Sequence, residues 1–159
     1  MPGKASPEPF EIGIDTREQL PYDFATVRNP VLPFTTRIIT LETGDYAPIG
    51  FECEMVIERK SKEDAFKSFG GDRERFEKEI VRMSEYRFAA VIIEAEWTEI
   101  FGEPPRYSKK FRPKTMVASI AAWSERYGVH FFAVPGRGFA EQLTYRLMER
   151  WVRDRRGTK

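Results

Sequence analysis

The chain is 159 residues long, 41% hydrophobic and 14% aromatic, enough for one domain with a buried core and too apolar for a disordered tail. Its formal net charge is only +1, so bulk electrostatic attraction to nucleic acid is excluded. The single cysteine, Cys53, and the single histidine, His130, exclude an intramolecular disulfide, a cysteine-rich zinc site and a histidine-clustered metal site.

Residues 1–9 are Pro-rich and polar and read as a flexible leader without a signal-peptide pattern. Phe10, Ile12 and Ile14 alternate as in a strand that delivers Asp15 at its end. After a turn-rich stretch containing Pro21, Asn29, Pro30 and Pro33, residues 34–41 read as a second strand. Gly44-Asp45 makes a turn, residues 46–49 open a hairpin whose tip near Gly50 is exposed, and residues 54–60 return as its partner. Ser61 caps a helix over 62–69, Gly70-Gly71 ends it, and Asp72 caps a second helix with Phe76, Ile80 and Met83 on its apolar face. Residues 89–95 read as a central strand, followed by a turn over 97–100. Met116, Ile120 and Trp123 mark a third helix ending near Gly128. Residues 129–134 form the last strand, with His130 expected to be packed within it, and 139–153 the last helix. This order specifies an α/β fold, a mixed sheet flanked by helices, over residues 10–153, with a basic tail at 154–159. No apolar run is long enough to span a membrane, which points to the cytoplasm or nucleoid.

The chemistry concentrates around Gly44-Asp45 and Met55-Val56-Ile57-Glu58-Arg59-Lys60. An apolar, partly β-branched strand ends abruptly in three charges, which a functional site explains better than solubility does. Glu58 and Lys60 are two apart and share a strand face. Asp45 and Glu58 can hold a divalent cation through hard oxygen ligands, and the Lys60 ammonium can orient or deprotonate a water. That is minimal equipment for metal-assisted phosphodiester hydrolysis. With carboxylates as the chief ligands, Mg²⁺ or Mn²⁺ is the expected cofactor. Lys60 acts as general base if its pKa is lowered and otherwise stabilises charge. Asp15 either adds a third carboxylate or caps the turn that follows it.

The pattern Gly44-Asp45, Glu58-Arg59-Lys60 and, three residues on, Asp64 resembles the signature of the XPF/Hef-type structure-specific endonucleases. Ile14-Asp15-Thr16-Arg17-Glu18 is similar to that family's opening strand, and Asp72-Arg73-Glu74-Arg75-Phe76 to the start of the helix after its signature. The resemblance implies a restriction-endonuclease-like fold and a Mg²⁺- or Mn²⁺-dependent DNA endonuclease of repair or recombination, cutting near branches, flaps or junctions. Carried over, it makes Asp45, Glu58, Lys60, Arg59, Asp15, Arg17 and Asp64 the catalytic set, with Asp64 either beside the metal or supporting Arg59 or Lys60. Arg17 and Arg73 match family arginines able to clamp a phosphate, with Arg75 competing for the place of Arg73. Glu18 orients Arg17 or forms a surface pair, and Glu94 either joins the site or caps the following turn.

The segment 106–114 carries Arg106, Lys109, Lys110, Arg112 and Lys114 without an acid, interleaved with Tyr107 and Phe111. It reads as a DNA contact, with a solubilising loop as the other reading. The arginine-rich tail is either a second contact or a helix end favourable to its own dipole. Many members of the resembled family carry a tandem helix-hairpin-helix domain after the nuclease domain, and here the chain stops at Lys159. A homodimer through the last helices, or a DNA-binding partner protein, is expected to complete the grip. A catalytically silent subunit and a general or restriction-type nuclease of the same fold remain as alternatives.

Overall fold

The alternating strand of residues 10–15 pairs with its neighbours as the pattern requires, and the rest of the sheet is built outward from it. The computed structural model describes residues 7–102 and 109–157. Most of the leader, Arg106 and Tyr107 of the basic segment, and Lys159 lie outside the described residues. In chain order the elements are β1 (Phe10–Asp15), β2 (Phe34–Ile39), β3 (Tyr46–Pro48), β4 (Met55–Lys60), α1 (Lys62–Ser68), α2 (Arg73–Met83), β5 (Phe88–Ile93), α3 (Trp97–Gly102), α4 (Pro113–Tyr127), β6 (His130–Ala133) and α5 (Gly136–Arg156).

Among the described residues six strands form one sheet in the order β2-β1-β3-β4-β5-β6. The β1–β3 and β3–β4 pairs are antiparallel and the β1–β2, β4–β5 and β5–β6 pairs parallel, so the sheet is mixed, as expected. Because side chains alternate across a strand, the sheet supports two cores. One gathers Ile12, Ile14, Tyr46, Ile57 and Ile92 with α5. The other gathers Val56, Val91 and Ile93 with Phe66 of α1, Phe76 and Ile80 of α2 and Trp123 of α4. Each fully buried aliphatic or aromatic side chain stabilises the fold by about 1.5–3 kcal/mol. β4 and β5 contribute to both faces, which explains their nearly unbroken apolar runs.

Three expectations need correction. His130 is exposed, because β6 is an edge strand; its ring stacks on Phe88 with centroids 4.8 Å apart. Residues 97–102 form a short helix, with Ile100 anchored in the second core, in place of a turn. The last helix runs from Gly136 to Arg156, longer at both ends than its apolar stripe indicates, and Gly157 closes it in a left-handed conformation. Trp123 is fully buried, so it belongs to the core and offers no docking surface. Among the described residues no helix is long and apolar enough to cross a membrane.

Candidate active site

Backbone geometry alone sets Asp45 beside the strand that carries Glu58 and Lys60. Gly44 has φ +78°, and a Cβ there would collide with Val56 Cγ2, so only glycine lets the turn lie flat against β4. The turn then locks into the sheet: Asp45 N–H donates to the Ile57 carbonyl at 2.8 Å, and Asp15 N–H donates to the Asp45 carbonyl at 2.8 Å. Asp45 Oδ2 accepts the Arg59 amide at 2.7 Å. Lys60 Nζ donates to Glu58 Oε1 at 2.7 Å and lies over the Phe76 ring, while Glu58 is buried. The expected pairing of Glu58 and Lys60 on one face is therefore present.

Electrostatics mark this cluster as unusual. Burial, reinforced by Glu18 and Glu79, pushes the Asp45 carboxyl from 3.8 up to about 7, against the opposing pull of the Arg59 amide and Lys60. Burial and the neighbouring Asp45 push Glu58 well above its ordinary range. Burial alone would lower Lys60, but Glu58, Glu79 and Asp45 outweigh it and hold the ammonium charged. Two carboxylates, one buried and one half-buried, that resist ionisation in the bare protein are what a divalent cation relieves. Among the described residues, the second oxygen of each carboxylate receives no hydrogen bond from the chain. No group of three His, Cys, Asp or Glu side chains there is arranged around a common metal position. A pair suits Mg²⁺ or Mn²⁺, which commonly takes one or two carboxylates and completes its shell with water and phosphate oxygens.

The other signature residues fall elsewhere. Asp15 accepts four hydrogen bonds, from the backbone amides of Arg17 and Leu41 and from the Arg17 guanidinium at two positions. Those donors fill the lone pairs of a carboxylate, so Asp15 holds Arg17 and has none left for a cation. Arg17 also donates to the Leu41 carbonyl at 2.6 Å, yet its side chain remains 63% exposed, so it is fixed and reachable. Arg59 points to the opposite face of β4 from Glu58. There it pairs with Glu94 at 2.6 and 3.1 Å and with Glu18 at 3.3 Å, close to the Tyr22 ring. Asp64 is exposed and accepts from the Ser61 hydroxyl that caps α1.

Of the arginines at the start of α2, Arg73 bonds Ser119 at 2.9 Å, pairs with Glu77 and lies over Trp123. Arg75 is 88% exposed, 3.9 Å from Asp72. Lys109, Lys110, Arg112 and Lys114 are all exposed, while Phe111 is buried against Phe66 with ring centroids 4.8 Å apart. Phe111 thus pins the basic segment to α1, and Lys110 lies beside Gly71 at the α1–α2 turn.

One contributor carries no signal in the sequence. Glu79 lies 3.9 Å from Lys60 and adds to the negative field at Asp45 and Glu58. It stands one helical turn after Phe76, and only its place beside the apolar stripe of α2 could have suggested that it faces the strand. Glu94, expected either to join the site or to cap the following turn, instead pairs with Arg59 on the other face of β4: Tyr22 OH donates to it at 2.8 Å, and Arg137 reaches it at 3.6 Å from the first turn of α5.

A mixed sheet flanked by helices, with a desolvated Asp–Glu pair and a charged lysine at adjoining strand ends, defines an α/β domain with the fold of the XPF nuclease domain. A solved structure described as XPF from Aeropyrum pernix in complex with DNA superposes with a TM-score of 0.62 at 21% identity, over 89% of this chain and 66% of that one. A second XPF structure from the same organism gives 0.60 at 22% identity, over 92% and 69%. This chain therefore spans about two thirds of their length. No protein of curated function matches it in sequence. The ERCC4 domain family matches residues 14–147, and the chain belongs to that family.

Proposed function

We propose that the chain is a metal-dependent DNA endonuclease that hydrolyses phosphodiester bonds, acting at branched, flap or junction DNA. The observation that carries this reading is the pair of half-buried Asp45 and buried Glu58 with the charged Lys60 beside it, in a chain of the ERCC4 domain family. The XPF structure solved with DNA supports DNA as the substrate class.

Asp45 and Glu58 hold the cation, Mg²⁺ or Mn²⁺. When bound, the cation polarises the phosphodiester and lowers the pKa of water. Lys60, held protonated by three carboxylates, stabilises charge developing on the phosphate and is a poor general base. Arg17, braced by Asp15 and the Leu41 carbonyl, offers a fixed guanidinium to a phosphate oxygen. Arg59 and Glu94 act beneath the site, since their bonds hold the strand that carries Glu58. Asp64 keeps α1 in place. Arg75, Lys109, Lys110, Arg112 and Lys114 form an exposed basic surface for the DNA backbone, with Arg73 fixing the helix from which Arg75 projects. A homodimer through the last two helices belongs to the same proposal, because Val117 of α4 and Phe139 of α5 expose apolar surface; a DNA-binding partner protein is the other way to complete the grip.

The test is cleavage of end-labelled duplex, single-strand, 3′-flap and splayed-arm DNA with Mg²⁺, Mn²⁺ or EDTA, using Asp45→Asn as control. Cutting near the branch that needs metal and is lost in the variant is expected. Unchanged cutting by Asp45→Asn would remove the ligand assignment, and equal cutting of every substrate would remove branch selectivity.

A further inference from the structure

A cavity of about 340 Å³ lies outside the proposed active site and is lined in part by the loop that leads into Asp45. Its walls come from the loop after β2 (Thr40 to Thr43), the hairpin tip (Glu52, Cys53), Arg82 at the end of α2 and the turn that follows it (Glu85, Tyr86). Two routes connect it to the metal pair. Along α2, Glu79 and Arg82 are three residues apart and share a face, so the helix leads from Lys60 toward the cavity, and Tyr86 stands in the turn after its end. Along the loop, Thr43 precedes Asp45 by two residues, and the Leu41 carbonyl is the acceptor that fixes Arg17.

The lining is chemically selective. Leu41 and the Tyr86 ring supply apolar surface, and the Thr43 hydroxyl is buried without a hydrogen-bond partner among the described residues. Glu42, Glu52 and Glu85 against the single Arg82 make the rim acidic, which repels a phosphate but offers acceptors to exocyclic amines. A planar, neutral, hydrogen-bonding ring suits such a space. Aromatic stacking with polar contacts at the ring edge is how unpaired bases are held. We propose that this cavity receives an unpaired nucleobase of the strand whose phosphate lies at Asp45 and Glu58. The inference rests on the nuclease reading and deepens it: the enzyme selects DNA whose strand can release a base beside the cut.

Cys53 stands exposed at the cavity and is the only cysteine in the chain, so its alkylation rate reports occupancy directly. Maleimide labelling of the wild-type protein is followed by mass spectrometry in EDTA. The DNAs are a 3′-flap, the same flap with abasic sites at the unpaired positions nearest the junction, and a fully paired duplex. Binding of each is measured separately by fluorescence anisotropy. Slowing of Cys53 labelling about tenfold by the intact flap, and by neither of the other DNAs when bound, is expected. Equal protection by the abasic flap, or no protection by a flap that anisotropy shows to be bound, overturns the proposal. Tyr86→Ala should weaken flap binding roughly 5- to 100-fold while sparing duplex; equal loss on both also overturns it. Cleavage of the same flap in Mg²⁺ separates the two readings. Cutting without protection refutes the base pocket alone, and protection without cutting refutes the nuclease reading alone. Absence of any DNA binding removes both.

Discussion

Replacing Asp45 by Asn should make the metal-free protein more stable at alkaline pH, contrary to the usual effect of substituting a buried site residue. The Asp45 carboxyl ordinarily titrates at 3.8 and is pushed to about 7 in the fold by burial and the nearby carboxylates. The folded state therefore keeps its proton to higher pH than the unfolded chain. Its contribution is fully favourable below about 3.8, is lost as pH rises through about 7, and is level above that. At ~1.36 kcal/mol per pH unit of displacement the ceiling is about 4 kcal/mol. Glu58 shares the strain, so removing one acid of the pair relieves only part of that ceiling and about 1–3 kcal/mol is expected from the single substitution. Asn is neutral and its amide oxygen can still accept the Arg59 amide. In EDTA near pH 8 the variant should melt about 3–10 °C above wild type, with the gap closing toward pH 5. Millimolar Mg²⁺ should raise the melting temperature of wild type and leave the variant unmoved. Calorimetry across pH with and without metal checks this. A variant that melts at or below wild type near pH 8 in EDTA, with the same pH slope, would refute the account of Asp45 as a strained buried acid.

Lys60→Ala should slow single-turnover cleavage roughly 100- to 1,000-fold while preserving the Mg²⁺-induced thermal shift, because the ammonium stabilises charge and does not hold the cation; loss of the thermal shift instead would make it a metal-site scaffold. Asp15→Asn should destabilise the protein by about 1.5–3 kcal/mol at neutral pH. Burial alone would raise Asp15, but the Arg17 and Leu41 hydrogen bonds outweigh it and hold it low, so this stability is present above 3.8 and lost as pH falls further. Denaturant unfolding at about pH 7 and pH 3 reads the difference, which should shrink in acid. Neutralising Lys109, Lys110 and Arg112 together should reduce the slope of log affinity against log salt by about 2–3; an unchanged slope means that this segment does not touch phosphate.

Local periodicity carried the fold a long way. The alternation over residues 10–14 and the apolar run ending at Glu58 define β1 and β4, and side-chain alternation alone places Glu58 and Lys60 together. The same alternation sends Arg59 away from them, although its place inside the signature grouped it with the catalytic residues. Its partner Glu94 is 35 residues distant, and Glu94 meets Tyr22 across 72. No spacing rule encodes such pairs, because they depend on strand order. His130 was misplaced for the same reason: a run from Val129 to Val134 does not reveal that its strand lies at the sheet edge, with solvent on one side. Glu79 was hidden because a helix pattern gives its buried stripe and leaves open what stands across from the residues beside it.

The alternation at Glu58-Arg59-Lys60 also bears on how the protein folds. A slip of β4 by one residue would turn the guanidinium toward Asp45 and Glu79 and drive the Glu58 carboxylate toward Glu18 and Glu94, leaving like charges together out of water. Apolar residues on both faces of β4 discriminate weakly between registers, since Met, Val and Ile are near-interchangeable in volume. The charged triplet does not. It acts as a proofreading key for strand alignment, so neutralising Arg59 and Glu94 together should let the chain collapse into misaligned sheets that refold slowly, even where the native form stays stable.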